Sequence, residues 1–105
     1  MTVIPRSQGK NVFTVMVSDD ACAPTFERGD IAVCNPDSEL TPGRFVIAKV
    51  NGITAAILRK YRPLDAIDKS QFALSSINDD YPDITVSGPQ DGFVIALVVQ
   101  VIKNV

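Results

Sequence analysis

The residues able to do chemistry are few. The chain has no histidine and two cysteines, Cys22 and Cys34. Without imidazole, histidine-based acid–base catalysis is excluded, and a zinc site built on two thiols would need several carboxylates besides. Cys22 lies in the turn-rich stretch DDACAPTFERGD. A reactive thiolate needs a cation or a helix N-terminus beside it, and Asp19 and Asp20 push the other way, so Cys22 reads first as a small packed residue. Cys34 closes a short apolar run and reads the same way. Ser18 and Thr25 carry hydroxyls with no evident base near them in sequence, and a hydroxyl without a base is a weak nucleophile. Asp19-Asp20 and Asp79-Asp80 with Asp83 supply the hard oxygen donors of a divalent-cation site, but acidic turns of this kind are ordinarily solvated loops. No metal and no cofactor are expected. Lys49, Arg59, Lys60 and Arg62 form the basic cluster; on alternating strand faces they are expected mostly in water, with one face able to meet a partner's acidic loop.

Positioning these residues falls to a chain that reads as β throughout. Residues 12–18 (VFTVMVS) are β-branched and aromatic, the pattern of a mostly buried strand. Residues 19–30 carry Asp, Pro and Gly and predict a loop or a single helical turn. Residues 31–34 form a second strand, closed by Asn35-Pro36-Asp37-Ser38, with a further turn at Thr41-Pro42-Gly43. Residues 45–50 and 53–61 flank Asn51-Gly52, the signature of a two-residue type I′ hairpin. After Pro63, residues 64–70 predict a loop or one helical turn, then come strands over 72–75 and 84–86 separated by the turn at 78–82. Ser87-Gly88-Pro89 turns the chain into residues 93–102 (FVIALVVQVI), in which six of ten are Val or Ile. That composition favours a central strand over a buried helix. The sum is a mostly β single domain of about seven short strands, with residues 1–11 as an extension ahead of it.

The bulk numbers narrow the function classes. The 105 residues make one domain's length, 46% are hydrophobic, and the net charge is −2. With no basic face, direct nucleic-acid binding is not expected. No charged-then-apolar leader opens the chain, and the apolar run 93–99 is too short to span a bilayer. A cytoplasmic protein with reduced thiols, no membrane contact and no small-molecule substrate is the expectation.

Four segments, in order and at similar spacing, resemble the C-terminal domain of LexA and phage repressors, the S24 peptidase family. FTVMVSDDACAPTFERGDIAV resembles that family's strand, its Gly-Asp-Ser-Met-Glu-Pro-Thr-Phe segment and its Gly-Asp turn, with Pro24, Thr25, Phe26, Gly29 and Asp30 matching. Residues 43–50 resemble the strand that feeds the family's hairpin, SINDDYPDI resembles its Glu-Asn-Pro-Asp-Tyr-Pro-Pro-Ile segment, and GFVIALVVQVIKN its closing strand. Together they span about 90 residues. In that family a Ser attacks a bond of its own chain while a buried, neutral Lys takes the proton. The resemblance places Ala21 at the Ser position and either Ile57 or Leu58, depending on the hairpin gap, at the Lys position, so no catalytic residue is expected. Cys22 takes the family's Met position. Lys60, two residues beyond Leu58 and on the same strand face, is the substitute amine.

The Ala-Gly or Cys-Gly cleavage pair is not found between Met1 and Val17, nor is a helix-turn-helix segment. What the resemblance leaves is self-association: a homodimer or larger homo-oligomer that regulates transcription and touches DNA only through a domain outside this sequence. Phe93, Ile95, Leu97, Val99 and Val101 are its expected interface. Two other readings stand beside it: a self-cleaving peptidase using Cys22 and Lys60, and a UmuD-like domain that binds a partner protein.

Overall fold

The β-branched runs become strands. The computed structural model describes residues 11–64, 67 and 70–103. Its strands are β1 (Phe13–Met16), β2 (Ile31–Asn35), β3 (Phe45–Val50), β4 (Ile57–Pro63), β5 (Phe72–Ser75), β6 (Ile84–Val86) and β7 (Gly92–Ile102). They form one seven-stranded sheet in the order β1-β2-β7-β3-β4-β5-β6, antiparallel at each pairing. The fold is the mostly β architecture expected. No helix among the described residues is long and apolar enough to cross a membrane.

The last strand is the structural axis. β7 lies between β2 and β3, and its register slips once against each neighbour. Val33 faces Gln100 while Cys34 faces Val98, leaving Val99 over; Ile47 faces Ala96 while Ala48 faces Val94, leaving Ile95 over. Each surplus residue is a β-bulge, and a bulge shifts the in–out parity of the residues beyond it. Apolar side chains therefore leave β7 toward both faces. Ala96 and Val98 join a cluster with Val17, Cys22, Phe26, Cys34, Ile47 and Leu58. Leu97 joins a second one with Val46, Tyr61, Phe72, Leu74 and Val86. Burying a Leu or Val of this kind contributes about 1.5–3 kcal/mol.

Two local expectations are corrected. β1 is a strand of alternating exposure rather than a mostly buried one: among the described residues it pairs only with β2, at the edge of the sheet, and Met16 is 64% exposed. The hairpin is not a two-residue type I′ turn. Ala48 pairs with Ile57 as the innermost β3–β4 pair, so the second arm begins at Ile57 and not at Ile53. Type I′ needs positive φ at both central residues, and here only Gly52 has it, at 89°. The chain turns at Asn51-Gly52, with Ile53 N–H donating to Val50 O at 3.1 Å, but then runs on through residues 53–56 before pairing. On its other edge β3 stays paired to its end, Lys49 with Phe93 and Val50 with Gly92 of β7. Gly92 is required there, because a Cβ would sit 2.7 Å from Lys49 O.

Candidate functional site

The connection from β1 to β2 carries the family-like motif, and the molecule ties it down at its base and its tip. At the base Val17 N–H donates to Asp30 O at 2.8 Å and Gly29 N–H to Val17 O at 2.9 Å, with Gly29 at φ 96°. The buried Asp30 carboxylate accepts from Glu27 N–H at 2.9 Å and from Lys103 Nζ at 2.8 Å. Lys103 also donates to Thr25 O at 2.7 Å, so Thr25 is bound through its backbone. Phe26 sets its ring edge-on to Phe45, centroids 4.8 Å apart, and the Ala23–Pro24 peptide is cis. At the tip Ala21 O accepts from the N–H groups of both Ile77 and Asn78 at 2.8 Å, while Asn78 Nδ2 donates to Asp20 O at 3.2 Å. Two of the four segments that carry the resemblance, DDACAPTF and SINDDYP, are thus bonded to one another.

Ala21 is fully buried. Of the two positions offered for the base, one lies at this site and one does not. The Cys22 Sγ–H donates to Leu58 O at 3.5 Å, and Cys22 and Leu58 share a cluster. Ile57 belongs to the other cluster, as strand alternation demands. Lys60 is paired in register with Phe45 and lines a hollow with Pro42, Gly43, Arg62 and Pro63; Ala21 does not line that hollow, although the Lys60 charge still reaches the Cys22 thiol. Burial pushes the Cys22 thiol up, outweighing the pull of Arg59 in the other direction. Burial also pushes Cys34 up to about 11. Both cysteines are free and buried, which fits packing rather than thiolate chemistry.

The residue that sequence reasoning missed is Arg59. Expected in water with the other basic residues, its side chain is instead 7% exposed and paired with Asp19, Nη1 to Oδ2 at 3.1 Å. Asp19 Oδ1 in turn accepts from Ala21 N–H at 3.2 Å. Arg59 Nη1 also donates to Leu58 O at 2.8 Å, and its guanidinium lies 5.5 Å from the centroid of the Tyr81 ring. Its Nε, buried, has no hydrogen-bond partner among the described residues. The buried cation paired to Asp19, beside Ala21, is therefore Arg59. A sequence signal does exist: Arg59 stands between Leu58 and the core-forming Tyr61, and a charge inside a buried run demands a partner. Asp20, adjacent to Asp19, pairs in water with Arg28 at 3.2 Å.

The five residues named for an interface do not share one face, because both bulges fall among them. Ile95 and Val101 pack against the first cluster, Leu97 is buried in the second, and Val99 packs against the second. Phe93, 55% exposed, differs from the rest. It lies between a hollow of about 230 Å³ lined by Lys49, Asn51, Pro89 and Gln90 among others, and one of about 180 Å³ lined by Leu40, Phe72, Pro89 and Val94.

Residues 1–99 match the sequence family described as Peptidase S24-like. No curated protein matches the chain.

Proposed function

The chain belongs to the Peptidase S24-like family, and on that premise we propose that it is a non-catalytic association and regulatory domain of a phage or bacterial transcriptional repressor. The observation that carries this reading is the identity of the cation beside Ala21. A guanidinium stays protonated throughout the working range of proteins and cannot take a proton from a nucleophile. Arg59 is moreover held by Asp19. With a methyl group at position 21 there is no nucleophile to activate, and the cation paired beside it is an arginine, not a lysine that could serve as base.

Self-association is the remaining family task, and Phe93 supports it. A half-exposed aromatic ring between two hollows is the form an anchor residue takes at the centre of an interface. Two copies meeting through such surfaces would bring two DNA-reading domains, carried elsewhere in the repressor, to paired half-sites. A two-fold dimer is the default symmetry.

The test is solution mass over a concentration series by sedimentation, beside a gel of protein held at about pH 10, where a lysine base is largely neutral. A reversible dimer with an intact band supports the proposal. A strict monomer removes the association half and shifts weight to a UmuD-like partner-binding domain. Specific fragments remove the non-catalytic half and return Cys22 and Lys60 to consideration.

A further inference from the structure

The charged groups sort into two populations. Arg28, Arg59 and Lys103 are each ion-paired with an aspartate, and Lys49 Nζ donates to the carbonyls of Ile53 and Thr54. Arg44, Lys60 and Arg62 have no carboxylate partner among the described residues, and of these Lys60 and Arg62 stand together. They are two residues apart on β4, on one strand face, and they line the hollow of about 450 Å³ that Pro42, Gly43 and Pro63 complete. Among the described residues no carboxylate lines it. Prolines fix φ on two of its sides, so the cations flank a shaped recess rather than a mobile tail.

The complementary group is in the same chain. Asp79, Asp80 and Asp83 are exposed and without an ion-pair partner among the described residues. Their turn is firmly built. Asp80 N–H donates to Asn78 Oδ1 at 3.0 Å, Tyr81 N–H to Asn78 O at 3.0 Å, and Ser76 Oγ–H to the carbonyls of Asn78 and Tyr81. The turn is anchored below by the Ala21 carbonyl. Within one molecule the two patches make no ion pair among the described residues.

We propose that the Lys60–Arg62 recess receives the Asp79–Asp83 turn of a second copy of this chain, each copy giving its turn and taking the other's. The proposal rests on the association reading above and names a contact separate from the Phe93 surface. A two-fold interface uses the same two patches on both subunits, so every contact occurs twice. Both surfaces are ordered before they meet, which lowers the conformational cost of pairing them. The contact is between charges at a solvated rim, so it sets register and salt sensitivity, and the apolar surface supplies the bulk of the affinity.

Sedimentation of the whole chain tests it. The dimer Kd is expected to rise at least about tenfold between roughly 50 mM and 500 mM salt, as the screening length shortens from about 14 Å to about 4 Å. Arg62→Glu and, separately, Asp79→Arg with Asp80→Arg should each weaken the dimer about tenfold or more, since like charges then face each other. All three positions are exposed, and circular dichroism checks that each variant is folded. The combined charge-swapped protein should recover the wild-type Kd at low salt. A dimer indifferent to salt and to both reversals, but weakened by Phe93→Ser, overturns this contact while leaving the association reading standing. A wild-type chain that is monomeric at every concentration overturns both. Reversals that weaken the dimer without recovery in the combined protein also overturn the pairing, because they act on different partners.

Discussion

Around Ala21, most groups that want partners have found them in the same chain, the buried Arg59 Nε being an exception. The Ala21 carbonyl accepts two bonds, Asp19 meets Arg59, and Cys22 packs beside Leu58. Around Phe93 the reverse holds: a large apolar ring lies more than half exposed between two hollows. The first region resembles a family site by its segments and is finished as core. The second has no catalytic resemblance and is left open. A site kept for chemistry ordinarily retains titratable groups with shifted proton affinities and access for substrate, whereas a site kept for association retains apolar surface. On the proposed reading the first region serves stability and the second contact, and each half of that reading can be broken separately.

The largest effect is expected from the buried ion pair. Asp19→Ala strands the Arg59 guanidinium in an interior position, and removing one partner of a buried pair costs about 3–5 kcal/mol; Asp19 is itself 27% exposed, which places the loss toward the lower end. Urea unfolding measures it. The neighbouring Asp20→Ala, whose partner Arg28 stands in water, is expected to unfold at the wild-type midpoint. Equal losses from the two variants would mean that Arg59 is not held as described.

Alkali should unpick the same region next. Cys34 has its thiol pushed from 9.0 to about 11 by burial, and Cys22 is raised as well. A folded-state pKa above the unfolded one means that the native protein holds its proton longer. The stability is therefore fully present below about pH 9 and declines as the pH rises toward 11, by on the order of 2 kcal/mol for Cys34. Denaturant midpoints at pH 8, 9, 10 and 11 trace the decline, and Cys34→Ala should flatten it while lowering the whole curve. A slope unchanged in Cys34→Ala would assign the effect to other groups, Tyr61 among them, whose hydroxyl is also raised by burial.

At the open region the sign of the comparison reverses. Phe93→Ser removes a ring that is mostly in water already, so the unfolding free energy is expected to change by less than about 1 kcal/mol. The sedimentation mass is expected to fall toward the monomer. A large loss of stability with an unchanged mass would return Phe93 to the core and close the region as an interface.

The sheet was legible in the sequence because its signals are local. Residues 45–50, 72–75 and 84–86 have strand bounds that match the expected ones, and the Val- and Ile-rich run after Pro89 forms the central strand its composition favours. Three things were not legible, and all are non-local. The bulges at Ile95 and Val99 depend on what β2 and β3 require of β7, so a five-residue interface based on strict alternation is divided between two faces. The hairpin at Asn51-Gly52 carries the right turn residues, but the chain runs on through residues 53–56 before the second arm pairs at Ile57, which the two turn residues alone do not reveal. Arg59 reads as solvated because its partner lies 40 positions away in sequence, and nothing local reveals that Asp19 comes to it. The expected extension at residues 1–11 falls almost wholly outside the described residues.

The smallest expected effect is the most telling for function. Ala21→Ser places a hydroxyl at the position where the family resemblance puts its nucleophile, in a site that is already closed. The charged groups beside position 21 are the Asp19 carboxylate, a weak base for an alcohol and already paired, and Arg59, so the variant should run as an intact band after incubation at about pH 10, the result expected of wild type too. The comparison sharpens if Arg59→Lys is added, because a lysine, unlike an arginine, can lose its proton when buried. Fragments confined to the double variant would identify Arg59 as the residue that silences the site. Fragments from Ala21→Ser alone would mean that a base lies within reach of position 21 after all. The region finished as core would then have to be counted as a site for chemistry.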